Sequence, residues 1–318
     1  MLDSREATVP TKYDKLIEAA RGSPPAATVV VHPCDETSLR GATEAAQADL
    51  IRPILVGPDA KIRGVAKSLE IDVSAYRIVD APHSHAAAAR GVALIREGAA
   101  QILMKGSLHT DELMKEVAAR ETGLRTGRRI SHVFVMDVPG HHNTLFITDA
   151  AINIFPDLDA KRDIVQNAID LFVDIGLGTP RVAILSAVET VTTKIPSTIE
   201  AAALCKMADR GQIRGGLVDG PLAFDNAIDP DAVRIKGIVS TVAGQAQILV
   251  VPDLEAGNML AKNLIFLAKA DAAGIVLGAR VPIVLTSRAD SVRARMASCA
   301  IAVLAARARQ LSAARAAA

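Results

Sequence analysis

The chain has no tryptophan, two tyrosines and six phenylalanines in 318 residues. An interior so poor in aromatic rings must be filled by Ala, Val, Ile and Leu, which suits helices packed on parallel strands. An excess of charge of one sign is also missing. With 36 Lys and Arg against 35 Asp and Glu the formal net charge is +1, so no whole-protein field draws in a polyanion and nucleic acid is not expected as a partner. The three cysteines, Cys34, Cys205 and Cys299, are odd in number and lack the paired spacing of metal or redox motifs. The expectation is reduced thiols, no metal, and a cytoplasmic location. No apolar run is long enough to cross a bilayer, and the polar opening MLDSREATVPTKYDK has no signal-peptide core, so a soluble protein without a membrane partner is expected. Neither a G-x-S-x-G elbow nor a G-x-x-x-x-G-K-[ST] loop is present, which removes the best support for hydrolase and nucleoside-triphosphatase readings.

What the sequence does have is a series of short β-branched runs between longer amphipathic stretches, the pattern of β-α-β units. Candidate strands cover 27–32, 53–57, 101–105, 132–137, 144–149, 181–187, 216–220, 248–253, 274–278 and 282–287. Helices are expected from about Pro82 to Gly98 and from about Ser197 to Arg210–Gly211, each closed by a glycine. HVFVMDV and NTLFITD are separated only by Pro139, Gly140, His141 and His142. That is too short for a helical crossover and predicts an antiparallel hairpin, a natural domain junction. The length favours two lobes with a cleft between them, and the alanine-rich stretch after Val303 continues a helix.

In open α/β sheets ligands collect beyond the carboxyl ends of strands, where helix N-termini offer free N–H groups. Three strand-to-helix turns carry suitable residues. In the first, Lys105, Gly106, Ser107, His109 and Thr110 fit an anion site, with Gly106 admitting an oxyanion to the backbone; alternatively, Thr110 only caps a helix and Lys105 is solvated. In the second, Ser287 and Arg288 fit a phosphate fork, whereas Ser287-x-x-Asp290 equally fits a helix capping box. The third comprises DGPLAFDNAI, with Asp225, and VVPDLEAGNMLAKNL, with Asn258 and Lys262; such residues also serve as turn formers. His141–His142 is a poor metal pair because adjacent side chains point apart. His83 and His85 read as surface residues, and Cys205 as a small buried thiol.

FITDAAINIFPD, SAVETVTTKIPST, DGPLAFDNAI, VVPDLEAGNMLAK and LTSRADS resemble, over nearly the whole chain, the phosphate acetyl- and butyryltransferases. The nearest likeness is to the acetyltransferase-like module that follows an enoyl-CoA hydratase domain in some bacterial proteins. The resemblance implies an α/β, two-lobed fold of the isocitrate and isopropylmalate dehydrogenase type, with parallel-rich sheets and an interdomain cleft. Residues 1–136 plus 272–318 would form the first lobe and 137–271 the second. It also implies a homodimer, no permanently bound cofactor, and acyl-CoA and inorganic phosphate as substrates. The implied reaction is acetyl-CoA plus phosphate to acetyl phosphate plus coenzyme A, reversible and by direct transfer in a ternary complex. Ser287 and Arg288 match the family's catalytic serine-arginine pair. Lys105, Gly106, Ser107, His109 and Thr110 match its phosphate motif in part, with a lysine more like the butyryltransferases. Asp225, Asn258 and Lys262 fall in motifs assigned to the coenzyme A side or cleft. The family's proposed base, an aspartate beyond the serine-arginine pair, is replaced by Ala294, so Asp290 is nominated instead. The cysteine some members carry after the aspartate matching Asp149 is Ala150 here. Butyryl or longer-acyl transfer, a metal- and NAD-dependent dehydrogenase on the same architecture, and a non-catalytic acyl-CoA-binding regulator remain the alternatives.

Overall fold

Valine- and isoleucine-rich runs alternate with alanine-rich amphipathic ones, and the chain folds accordingly into strands separated by helices. The computed structural model describes residues 11–285 and 290–317. Helix α1 (Lys12–Arg21) precedes β1 (Ala26–Val31), α2 (Glu36–Gln47), β2 (Ile51–Gly57), α3 (Asp59–Ser68), β3 (Arg77–Asp80), α4 (Ser84–Arg96), β4 (Ile102–Lys105), α5 (Thr110–Val117) and β5 (Ser131–Asp137). A tight connection leads to β6 (Leu145–Thr148), followed by α6 (Leu158–Asp174), β7 (Arg181–Leu185), α7 (Pro196–Asp209), β8 (Leu217–Leu222), α8 (Phe224–Ile228), α9 (Pro230–Lys236), β9 (Ile248–Val250) and α10 (Leu254–Phe266). Strands β10 (Asp271–Leu277) and β11 (Ile283–Val284) precede the long α11 (Val292–Ala317).

Among the described residues the strands form one sheet in the order β3-β2-β1-β4-β11-β10-β5-β6-β9-β7-β8. From β3 to β11 every pair is parallel. The three pairs β11–β10, β10–β5 and β5–β6 are antiparallel, and beyond them β6, β9, β7 and β8 are parallel again. An odd number of reversals means that the two parallel halves point opposite ways. The carboxyl ends of β1, β2, β4 and β11 therefore share one edge of the sheet, and those of β6, β7, β8 and β9 share the other.

Side chains alternate between the two faces along each strand. Val30 joins α1, α2, α3 and α11 on one face, while Val29 and Val31 join α4 and α5 on the other. The sheet is thus covered on both faces, which is why its central strands read as unbroken apolar runs. The expected hairpin is present, with Val133 paired to Thr148 and Met136 to Leu145. The helices expected near Pro82 and Ser197 are α4 and α7, and Gly98 and Gly211 follow them with positive φ. Strand β3 escapes sequence reading because RIVD is a short, partly exposed edge strand with little apolar signal. Strand β9 stops at Val250, short of the expected Asp253, because Asp253 turns to cap α10 through Ala256 N–H.

Two capping expectations are corrected. Thr110 is the first residue of α5 and His109 is its N-cap, with no side-chain capping bond. The first turn of α11 is capped by Ser291, whose hydroxyl accepts from Ala294 N–H at 3.0 Å, so the Ser287-x-x-Asp290 capping box does not define that helix start.

Helix α1 is fastened to the antiparallel centre by Tyr13, which is fully buried. Its hydroxyl bonds to the Val135 and Asp271 carbonyls and accepts from Ala273 N–H at 2.8 Å. Burial holds the phenol well above its usual pKa against the opposing Ala273 bond, and the carboxylates of Asp271, Asp137 and Asp290 act in the same direction as burial. Tyr13→Phe leaves these backbone groups without that partner and is expected to cost about 1–3 kcal/mol, read as a lower urea midpoint with an unchanged m value.

Candidate active site

Strands β1 and β4 end together, with Val31 opposite Lys105. Gly106 N–H then donates to the Val31 carbonyl at 2.8 Å and Ser107 N–H to the His32 carbonyl at 2.9 Å. A Cβ on Gly106 would lie 2.3 Å from the Val31 oxygen and 2.6 Å from the His32 oxygen. The glycine is thus demanded by the closeness of the β1 backbone, a constraint that sequence reading had assigned to an incoming oxyanion. Lys105 is largely buried, and its ammonium donates to the Gly106 carbonyl at 3.3 Å.

His32 joins this turn and was missed by sequence reading, which took it as the last residue of a strand. Its Nδ1 lies 2.9 Å from Ser107 Oγ, and that hydroxyl lies 2.8 Å from the His32 carbonyl. One hydroxyl proton cannot serve both acceptors; when it goes to the carbonyl, Nδ1–H donates to Oγ and fixes the tautomer. Burial pushes the His32 pKa down, and the Lys61 charge acts in the same direction. The legible signal was a histidine followed by Pro33 at a strand's carboxyl end, and the structure gives it a positive φ of 55°. Beyond the turn, the uncapped first turn of α5 presents free N–H groups, with Asp111 and Glu112 offsetting part of the positive helix end.

The second loop approaches through β11, which runs parallel to β4 with Val284 opposite Met104. The chain leaves β11 at Leu285, whose N–H donates to the Gly274 carbonyl at 3.1 Å, beside the end of β4. Ser287 and Arg288 lie outside the described residues. Asp290 follows, and its carbonyl accepts from Arg295 Nη1. Ala294 is buried in the first turn of α11. Arg295, also missed in the sequence, is a buried arginine under this loop; a Cβ on Gly41 of α2 would come within 3.0 Å of its Cδ.

The third group lies past strands of the opposite half. Asp225 pairs with Lys236 at 3.1 Å, Asn258 Nδ2 donates to the Ala150 carbonyl at 3.2 Å, and Lys262 is exposed on α10. By strand direction these three belong to the other edge of the sheet from Lys105 to Thr110. Next to Asn258, Asp149 accepts from the N–H groups of His132, Ala151 and Ile152 and from Asn153 Nδ2. The residue after Asp149 is the buried Ala150, which has no thiol, so no acyl-cysteine can form at that position.

Residues 84–303 match the family model described as "Phosphate acetyl/butaryl transferase". A phosphate acetyltransferase of Rhizobium meliloti is 78% identical over 295 residues, 93% of each chain. The chain belongs to this acyltransferase family. The crystal structure of a branched-chain phosphotransacylase from Enterococcus faecalis V583 superimposes with a TM-score of 0.77 at 30% identity, covering 88% of this chain and 99% of that one. The fold alone is shared with a 4-hydroxythreonine-4-phosphate dehydrogenase from Klebsiella pneumoniae, TM-score 0.52 at 14% identity, covering 89% and 100%. The α/β architecture of the dehydrogenase type expected from the sequence is therefore present in this acyltransferase family member.

Two outcomes are expected from this geometry. Gly106→Ala forces the β1 and β4 ends apart and is expected to lose about 1–3 kcal/mol of stability, visible as a lower melting temperature. Burial also holds the His132 pKa well below its usual value, with the Asp149 charge acting the other way. An unfolded chain takes up a proton below about pH 6.5 that the folded His132 refuses. Stability is complete above that pH and falls as the pH drops toward the folded pKa, by at most about 1.4 kcal/mol per unit. Urea midpoints at pH 7 and pH 5 should diverge less in His132→Gln than in the parent.

Proposed function

We propose that this chain is a phosphate acetyltransferase, exchanging an acetyl group between coenzyme A and inorganic phosphate. The 78% identity to a named phosphate acetyltransferase supports the acetyl reading over butyryl or longer chains and over a non-catalytic regulator. The observation that supports the mechanism is the parallel register of β11 with β4, which brings the chain beside the end of β4 at Leu285, two residues before Ser287.

In the direction of acetyl phosphate synthesis, a phosphate oxygen attacks the thioester carbonyl carbon and the carbonyl electron pair moves onto oxygen. Collapse of the tetrahedral intermediate breaks the C–S bond, and the departing thiolate takes a proton. Lys105, Ser107, His109, Thr110 and Arg288 are proposed to hold the phosphate in line by charge-assisted hydrogen bonds, with Gly106 setting the turn that presents them. Ser287 donates to the oxygen as it becomes negative. In reverse, the coenzyme A thiol, with a pKa of about 8.5, has to lose its proton, and Asp290 is proposed as the base. Asp225, Asn258 and Lys262 are proposed for the coenzyme A side; Asp225 is paired with Lys236 and Asn258 is bonded to the Ala150 carbonyl, whereas Lys262 is exposed and makes no ion pair within 4.0 Å among the described residues.

On the same resemblance, residues 1–136 plus 272–318 and residues 137–271 are proposed as two lobes flanking a cleft. Transfer is direct, without a resident cofactor, in a cytoplasmic homodimer. Among the described residues no helix is long and apolar enough to cross a membrane. Met259, Phe266 and Leu267 of the α10 region are exposed apolar side chains that a second copy would cover.

Purified protein with acetyl-CoA is expected to lose thioester absorbance only when phosphate is added; no phosphate-dependent loss would overturn the reading. Arg288→Ala is expected to raise the phosphate KM and lower kcat with an unchanged melting temperature, and parent-like kinetics would remove Arg288 from the site. Asp290→Asn is expected to lower turnover by about 10²–10⁴-fold through loss of the base, with an unchanged melting temperature because Ser291 caps α11.

A further inference from the structure

A second basic site lies away from the catalytic turn. The connection from α5 to β5 carries Arg125, Arg128 and Arg129, and its backbone is laced to the turn after β10: Arg125 bridges Ala279, and Arg280 N–H donates to the Leu124 carbonyl at 2.9 Å. Two adjoining cavities result. One, of about 630 Å³, is lined by Arg128, Arg280 and Arg309 together with Asp170 and Asp174; the other, of about 300 Å³, is lined by Arg125, Arg128 and Arg129. Arg128 is common to both.

The charges here are unbalanced. Asp170 pairs with Arg128, while Asp174 is pushed toward the neutral form by burial and by Asp170. Among the described residues no guanidinium of Arg125, Arg129, Arg280 or Arg309 lies within 4.0 Å of a carboxylate, although the Arg129 backbone N–H donates to Asp163 Oδ2 at 2.9 Å. Arg309 is held by the Ala279 carbonyl at 3.2 Å and Arg129 Nε by Asn153 Oδ1 at 2.7 Å, so both guanidiniums are positioned by neutral acceptors, with Asp174 and Asp170 acting on the Arg309 charge from a longer range. Five arginines thus gather against three carboxylates, Asp163, Asp170 and Asp174, in a chain whose net charge is only +1. The larger cavity falls within the volume range of small-molecule sites. It opens at Gly278, four residues along from Gly274 beside the catalytic loop, or roughly 13 Å at strand rise.

We propose that this arginine-lined pair of cavities binds a small molecule carrying two or more phosphate groups, gripped by guanidinium forks from Arg125, Arg128 and Arg280. The ligand is either the nucleotide end of coenzyme A or a separate phosphorylated effector, and the chemistry of recognition is the same for both. The inference concerns binding and does not require acetyl transfer to be the reaction.

The test is calorimetric titration of the purified protein with pyrophosphate and with ADP at low ionic strength. Saturable binding at one site per chain is expected. Arg125 and Arg280 are exposed, so R125S/R280S is expected to melt like the parent while weakening both ligands at least about tenfold. R125K/R280K, which keeps the charge but not the fork, is expected to lose less. Absence of saturable binding, or parent-like affinity in R125S/R280S, overturns the proposal. Turnover separates the sources. Competition of pyrophosphate with acetyl-CoA, together with a raised acetyl-CoA KM in R125S/R280S, identifies the substrate's nucleotide end. An unchanged KM with an effect that acetyl-CoA does not overcome identifies a separate effector.

Discussion

The contact between Gly106 and the carbonyls of Val31 and His32 governs the geometry of the candidate site. Because no side chain can stand there, β4 closes on β1 up to its last residue, and the following turn is stitched to His32 by both the backbone and the hydroxyl of Ser107. This fixes the near loop. Beside it, β11 pairs with β4 on one side and β10 on the other, and brings the chain to Leu285 next to the end of β4. That approach depends on a strand of minimal length held between two longer neighbours.

The opposed halves of the sheet have a functional meaning. In a uniformly parallel sheet all the strand-to-helix turns would face the same edge and compete for one site. Here three successive antiparallel pairs divide them, so the turns after β1, β4 and β11 gather at one edge and those after β6, β7, β8 and β9 at the other. Asp149, with four donors converging on its carboxylate, organises the second edge much as Gly106 organises the first. The two positions solve similar problems of turn rigidity by different means, one with a carboxylate and one with the absence of a side chain.

Much of this was legible in the sequence. Runs such as ATVVVH and HVFVMD are apolar on both faces because helices cover both faces, and the four-residue gap at Pro139 to His142 allowed nothing but a hairpin. Residue types at strand-to-helix turns singled out the Lys105 turn and the serine-arginine loop as candidates, and the family resemblance assigned them roles. Other features were hidden because they are tertiary. His32 acquires its role only when β4 is placed beside β1, and Arg295 reads as one more charge on a helix until α2 presents Gly41 to it. The capping-box spacing points to Ser287, but the helix starts later, at Ser291, which caps without an acidic residue three positions on and so carries no box signature in the sequence. The arginines after α5 look like ordinary surface charge until Arg280 and Arg309 arrive from the far end of the chain.

The position of β11 also bears on how the molecule comes into being on the ribosome. Strands β1 to β4 emerge early, but the neighbour that shields the open side of β4 is contributed by residues 283–284. Throughout most of translation that side presents unpaired backbone groups, an invitation to mispairing with other nascent chains. Final closure of the sheet waits for residues 283–284, so a product truncated before them would carry a half-built domain with a sticky flank.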